Sequence, residues 1–235
     1  MKNEIAILIA AGKGERMRPV TLNTPKPLVA VHGKPMIETV IEGLLRRGTR
    51  HIYITVGYLG EKFGYLPEKY PNVTLIENPE YTVKNNISSI YAARDVMGGC
   101  DCFVCEADLC VSDPSIFDAT PDGSCYFGKF VEGYSADWLF DTDARGRITR
   151  VGKGGTDKYN MCGICYLAAK DAATVRDAVL AAYAGDGYEQ KYWDEIVDEN
   201  LDKIAMTVHP VAPSAIVEID TVDELKAIDR SYANL

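Results

Sequence analysis

The chain has no surplus of positive charge: 25 Lys and Arg stand against 34 Asp and Glu, a net charge of −9 over 235 residues. Without a basic field there are few counterions to release from a polyanion, so non-specific nucleic-acid binding is excluded, and an anionic ligand must meet a local cationic pocket. No apolar run is long enough for a signal peptide or a membrane span, so a cytoplasmic protein with no membrane partner is expected. Histidine is scarce. His32, His51 and His209 fall in no recognisable triad, and each is expected to be structural or superficial. Internal repeats, low-complexity tracts and obvious linkers are also missing, which favours one domain over residues 1–235.

Cysteine, by contrast, is present seven times. Cys102-x-x-Cys105 and Cys162-x-x-Cys165 have zinc-like spacing, yet both lie in strand-like runs, "DCFVCEAD" and "NMCGICYL". Residues three apart on a strand point to opposite faces, so small buried hydrophobes in a reducing compartment are expected instead of a metal site.

Strand and helix signals alternate through the first half. Residues 4–9, "HIYITVG" (51–57), "VTLIEN" (73–78) and "DCFVCEAD" (101–108) read as strands. "PMIETVIEGLLRRG" reads as a helix opened by Pro35 and stopped by Gly48, "GEKFGYLPEK" as a short interrupted one, and "NNISSIYAARDVM" as one capped by Asn85 or Asn86. Beyond residue 120 the runs "GSCYFGKFV", "DWLFDTD" and "GRITRVG" resemble hairpins. Helices "DAATVRDAVLAAYA" and "YWDEIVDENL", strands near "KIAMTVH" and "AIVEID", and a terminal helix "TVDELKAIDRSYA" follow. The expected fold is α/β: one Rossmann-like domain whose mixed, mostly parallel sheet is flanked by helices and carries antiparallel additions.

The first strand runs into "AAGKGERMRP", residues 10–19. Gly12 and Gly14 permit φ > 0 and close approach of backbone N–H groups to a ligand, and phosphate is the natural guest of such a nest. This is neither a Walker loop nor G-x-G-x-x-G, since Met17 holds the third glycine position. A lone G-x-G after a strand is equally compatible with a ligand-free turn. The cations favour a phosphate: Lys13, Arg16, Arg18, and Lys26 fixed between Pro25 and Pro27. Asp108 and Asp220 each fall at a strand end, where two hard carboxylates suit one Mg²⁺; for Asp220, before "TVDEL", a helix cap is the competing role.

The stretch "IAAGKGERMRPVTLNTPKPLVAVHGKPMIE" resembles the signature of the sugar-phosphate nucleotidyltransferase superfamily, L-A-A-G-x-G-x-R-x-x-P-x-T…P-K-[PA]-L. "ITVGYLGEKF", "KNNISSIY", "EADLCV", "ADWLF", "KYWDEIV" and "VEIDTVDEL" are similar, in order, to the bacterial CTP:phosphocholine cytidylyltransferases. The resemblance implies a nucleotidyltransferase fold in which Ala10, Ala11, Gly12, Lys13 and Gly14 bind the nucleoside triphosphate and Arg16 and Lys26 act catalytically on its phosphates. It makes Asp108 and Asp220 the Mg²⁺ ligands, with Glu106 and Glu218 beside them. The implied reaction is attack of phosphocholine on the α-phosphorus of CTP, giving CDP-choline and pyrophosphate. An ionised phosphomonoester needs no general base, so alignment and charge neutralisation would carry the step.

Quaternary ammonium cannot donate hydrogen bonds and is recognised by aromatic faces. The resemblance places the segments that carry Trp138, Tyr192 and Trp193 around the acceptor, with Asp137, Asp141 and Asp194 as nearby charges, although "KYWDEIV" as a helix can also bury Tyr192 or Trp193. Asn86 and Ser88 are expected at the base or ribose, with Tyr81 and Gly57 in the same wall. A primary ammonium, as in 2-aminoethylphosphonate or phosphoethanolamine, would favour carboxylates over rings. A sugar 1-phosphate acceptor and a non-catalytic nucleotide-binding regulator are the further alternatives, and homo-oligomerisation is left open.

Overall fold

The computed structural model describes residues 2–234. Strand β1 (Glu4–Ala10) occupies the interior, which accounts for its unbroken apolar run: Ala6, Leu8 and Ala10 enter the core on one face of the sheet, Ile5 and Ile7 the core on the other. After a two-residue hairpin, β2 (Ala30–Val31) and β3 (Lys34–Pro35), helix α1 (Met36–Arg47) buries Ile37, Val40, Ile41 and Leu44 along one stripe. It ends at Gly48, left-handed at φ 88°. The chain continues through β4 (His51–Val56), α2 (Tyr65–Lys69), β5 (Val73–Glu77), α3 (Ile87–Ala92), β6 (Asp101–Glu106) and β7 (Leu109–Val111). The second half contributes the long strands β8 (Ser124–Thr142) and β9 (Ile148–Leu167), helices α4 (Ala169–Tyr183) and α5 (Trp193–Asp198), strands β10 (Met206–Pro210) and β11 (Ile216–Glu218), and α6 (Val222–Ile228).

Seven strands form one sheet in the order β10-β8-β9-β6-β1-β4-β5. Only β9 runs antiparallel to its neighbours, β6 and β8. This is the mixed, mostly parallel, helix-flanked arrangement expected from the alternating signals, and the hairpin-like runs past residue 120 are β8 and β9. Cys102 and Cys105 point into opposite cores, as do Cys162 and Cys165, so neither pair can close on one ion. Among the described residues no helix is long and apolar enough to cross a membrane.

Three local expectations need correction. The "NNISSIYAARDVM" helix stops at Ala92, short of Gly98 and Gly99, and no side chain caps its start, because Asn86 is occupied elsewhere. The terminal helix stops at Ile228. The "AIVEID" strand, β11, lies outside the main sheet and pairs antiparallel with β7.

A third hydrophobic cluster positions the site. Met17 and Val29, from the segment after β1, share it with Ile219 and Leu225, from the chain around α6. Each such fully buried side chain stabilises by about 1.5–3 kcal/mol. Segments two hundred residues apart are thereby fastened side by side.

Candidate active site

From β1 the chain builds outward to β4 and β5, then returns to β6 on the other edge of β1. The C-terminal ends of β1 and β6 therefore diverge at a topological switch point, where open α/β sheets bind ligands. A cleft of about 630 Å³ opens there, bordered by Ala10, Ala11, Gly12, Gly14 and Arg16. Lys13 does not border it. Of the two glycines only Gly14 is left-handed, at φ 59°, which corrects the expectation for Gly12. A Cβ on Gly14 would stand 2.8 Å from Lys26 Cβ, so Gly14 is required for the lysine stem to pack against the turn. A Cβ on Gly12 would meet no protein atom within 4 Å; the space beside it belongs to the cleft.

Lys26 opens a short 3-10 turn, Lys26–Leu28, behind Pro25. Its side chain is only 11% exposed, and its Nζ donates to Asp108 Oδ2 and Asp220 Oδ1 at 2.6 Å each. The Arg16 guanidinium reaches the same Asp220 oxygen at 3.0 Å. Asp108 and Asp220 each lie two residues beyond a strand end rather than on it. They meet because β7 and β11 pair antiparallel with Leu109 opposite Glu218, which brings the residues flanking that pair to one end. Asp220 does not cap α6. Thr221 does so, accepting from the Glu224 N–H at 3.2 Å, while Glu224 accepts from the N–H groups of Thr221 and Asp220 at 2.9 and 2.8 Å. The Asp220 carboxylate is thus left to Lys26 and Arg16.

Charge at this end is unevenly shared. Burial, and then the charges of Asp108, Asp194 and Glu218, push the Glu106 carboxyl well up against the opposing Lys26 ammonium. Burial pushes Glu218 up too; Lys129 opposes this, while Asp220, Asp108 and Asp137 add to it. Burial would also raise Asp220, but Lys26 and Arg16 hold it below the usual carboxylate range. Among the described residues no three carboxylates, cysteines or histidines converge as a complete metal cage. Two carboxylates that already share one cation suit Mg²⁺, which takes one or two protein carboxylates and completes its shell with water and substrate phosphates.

The facing wall carries Tyr81, Asn86 and Ser88. Gly57 lies behind it: a Cβ there would stand 2.6 Å from the Tyr81 ring, so the glycine seats the tyrosine. The Ser88 hydroxyl donates to the Asn85 carbonyl at 2.8 Å and accepts from the Asn78 amide at 2.9 Å. Asn86 Oδ1 accepts from the Trp193 N–H at 2.9 Å, which is why it makes no helix cap and instead ties α3 to α5.

At the far end, Asp137, Trp138 and Tyr192 line the cleft, with the Trp138 and Tyr192 rings edge-to-face at 5.4 Å. Trp193 and Asp194 do not. Helix α5 begins at Trp193, so Tyr192 remains extended at the rim while Trp193, 3% exposed, turns into the core against Tyr126. Asp194 is buried and accepts from the Tyr126 hydroxyl at 2.9 Å. Asp141 is held by Arg150 and Lys158 at 2.6 and 3.1 Å and does not border the cleft, whereas Asp137 does.

Sequence reasoning missed Asn78, Lys84 and Lys153, all of which border the cleft. Lys153 lays its ammonium over both rings, 5.4 Å from the Trp138 centroid and 5.5 Å from that of Tyr192. Its only local signal is a lysine set among glycines in "VGKGGT". Lys84 is drawn in by an ion pair with Glu80 and by the Tyr188 hydroxyl, contacts invisible at the level of sequence.

Residues 6–121 match the model of the MobA-like NTP transferase domain. The chain is 50% identical to the 2-aminoethylphosphonate cytidylyltransferase of Lancefieldella rimae over 230 residues, 98% of this chain and 94% of that one. It is 32% identical to the choline-phosphate cytidylyltransferase of Streptococcus pneumoniae over 229 residues, covering 97% and 98%. The solved structure of the CTP:phosphocholine cytidylyltransferase from Streptococcus pneumoniae superposes with a TM-score of 0.89 at 31% identity, over 98% of this chain and 99% of that one.

Proposed function

Because the chain belongs to the MobA-like NTP transferase family of nucleotidyltransferases, we propose that it transfers CMP from CTP to 2-aminoethylphosphonate and releases pyrophosphate. The observation that carries the chemistry is the placement of Lys26, 2.6 Å from both Asp108 and Asp220, on the floor of a cleft bordered by the glycine turn. The backbone from Ala11 to Gly14 cradles the triphosphate, and Arg16 and Lys26 offset its charge. A phosphonate oxygen attacks the α-phosphorus; that O–P bond forms as the bond to the oxygen bridging the β-phosphorus breaks, and pyrophosphate leaves with the electron pair. The attacking oxygen is already anionic, so no general base is required, and no histidine borders the cleft. Asp108 and Asp220 would hold Mg²⁺, which as a Lewis acid neutralises charge on the transferring phosphates.

Two observations support the aminoethyl acceptor over phosphocholine. Identity to an aminoethylphosphonate enzyme is 50%, against 32% to a choline-phosphate enzyme, over nearly the same span. In addition, the cleft that holds Trp138 and Tyr192 is also bordered by Asp137, a carboxylate to which an acceptor's primary ammonium can donate. A primary ammonium can stack on these faces and also donate to a carboxylate; a quaternary one can only stack. Phosphocholine stands as the second reading, favoured by the aromatic pair itself.

Pyrophosphate release, measured for four nucleoside triphosphates against 2-aminoethylphosphonate, phosphocholine, phosphoethanolamine and glucose 1-phosphate, tests the assignment. We expect CTP with 2-aminoethylphosphonate to give the highest kcat/KM, by about tenfold or more. Phosphocholine as the best acceptor would overturn the acceptor and leave the chemistry standing. No release in any combination would overturn the transferase and favour a non-catalytic nucleotide binder.

A further inference from the structure

We propose that Lys26 makes the floor of the cleft selective for a divalent cation that arrives with a triphosphate: its ammonium holds Asp108 and Asp220 against a free cation and releases them only when phosphates offer it another partner. The inference rests on the reading above, in which those two acids hold the metal. Three features of the chain support it.

The first is position. The ammonium stands between the two acids at 2.6 Å from each, where a cation shared by both oxygens has to sit, and the lysine is more deeply buried than either partner. Two cations cannot occupy that space together without mutual repulsion. The second is restricted reach. Pro25 and Pro27 fix the backbone on either side, and the stem packs against Gly14, so the ammonium has few destinations: the acids, or the cleft beside the glycine turn. The third is the contrast with Arg16. That side chain is 71% exposed and pairs with Asp220 alone, so it can leave without freeing Asp108.

A bare divalent cation must therefore break both ion pairs of a pinned ammonium without bringing any oxygen of its own to replace them. A cation chelated by a triphosphate brings the oxygens that Lys26 then binds, and the lysine moves from the acids to the phosphates. Lys26 thus couples metal entry to nucleotide entry.

Mn²⁺ binding to the full-length, nucleotide-free protein, followed by the electron paramagnetic resonance of the free ion, tests this without reference to turnover. Lys26→Met is expected to bind Mn²⁺ at least about tenfold more tightly than the wild type, and Lys26→Arg, which keeps a cation in place, is expected to match the wild type. Lys26→Gln serves if the methionine variant loses its circular dichroism spectrum. Equal Mn²⁺ affinity in the wild type and the neutral variants would overturn the proposal. Adding Asp108→Asn and Asp220→Asn to Lys26→Met should abolish the gained binding. If the gain survives, the metal seat itself is misassigned, a failure separate from that of the lysine.

Discussion

At the glycine end of the cleft, Lys26 joins Asp108 and Asp220 at 2.6 Å beside a buried cluster that holds Met17 against Ile219, whereas at the far end Trp138 and Tyr192 meet only through ring edges at 5.4 Å beneath an exposed lysine. The first end is interlocked by charge and fastened to the core. The second is mounted on a bulged part of β8, where Trp138 packs only partly buried against the core, and on Tyr192, the residue preceding α5. Under the proposed function, handling of the triphosphate falls to the interlocked end and recognition of the acceptor to the aromatic one.

Substitutions at the two ends should therefore fail in different ways. Asp108→Asn is expected to lower kcat/KM by about a thousandfold, with a melting temperature near that of the wild type, as when a charge clamp on the transferring phosphate is lost. Pyrophosphate release and thermal melting together check it, and near-normal turnover would break the comparison at its stronger end. Trp138→Ala should raise KM for the acceptor by roughly 5–30-fold, the equivalent of about 1–2 kcal/mol of cation–π contact, while KM for CTP changes little. A parallel rise in both would mean that the two ends are not separable.

Asp194→Asn should affect the acceptor least, because Asp194 is buried and does not border the cleft. Burial pushes the Asp194 carboxyl up to about 7 in spite of the Tyr126 hydrogen bond. Between about pH 4 and pH 7 the folded protein keeps a proton that the unfolded chain has released, so stability falls as pH rises through that window and stays reduced above it. The asparagine removes this loss. It should stabilise by on the order of 2–4 kcal/mol at pH 8 and by little at pH 4, as read from denaturant midpoints across pH, with acceptor KM within about twofold of wild type. A large change in KM would return Asp194 to the cleft.

The same contrast governs what the sequence could reveal. The glycine turn, Arg16 and Lys26 lie within one short stretch behind a strongly apolar strand, and that continuity made their shared purpose legible. Asp108 and Asp220 were legible as candidates, but their meeting depends on the short β7–β11 pairing and on Ile219 in a remote cluster, long-range contacts that no local pattern encodes. At the far end, "KYWDEIV" could be read as a helix but not phased: the start of α5 at Trp193 decides that Tyr192 lines the cleft while Trp193 and Asp194 are core. Lys153 was missed because a lone lysine among glycines has no periodicity to place it. The alternation of strands and helices gave the architecture, whereas the side-chain cap expected at the start of α3 is missing because Asn86 bonds the Trp193 N–H instead.

The central claim, direct attack of an aminoethylphosphonate oxygen on the α-phosphorus, is most directly tested by ³¹P NMR of the wild-type reaction with CTP, Mg²⁺ and 2-aminoethylphosphonate carrying ¹⁸O in its phosphonate group. The account predicts a product in which the phosphonate and CMP phosphorus nuclei are coupled through one bridging oxygen, with the ¹⁸O isotope shift on the CMP phosphorus. Formation of CMP and pyrophosphate with no joined product, or a joined product whose CMP phosphorus shows no shift, would contradict it.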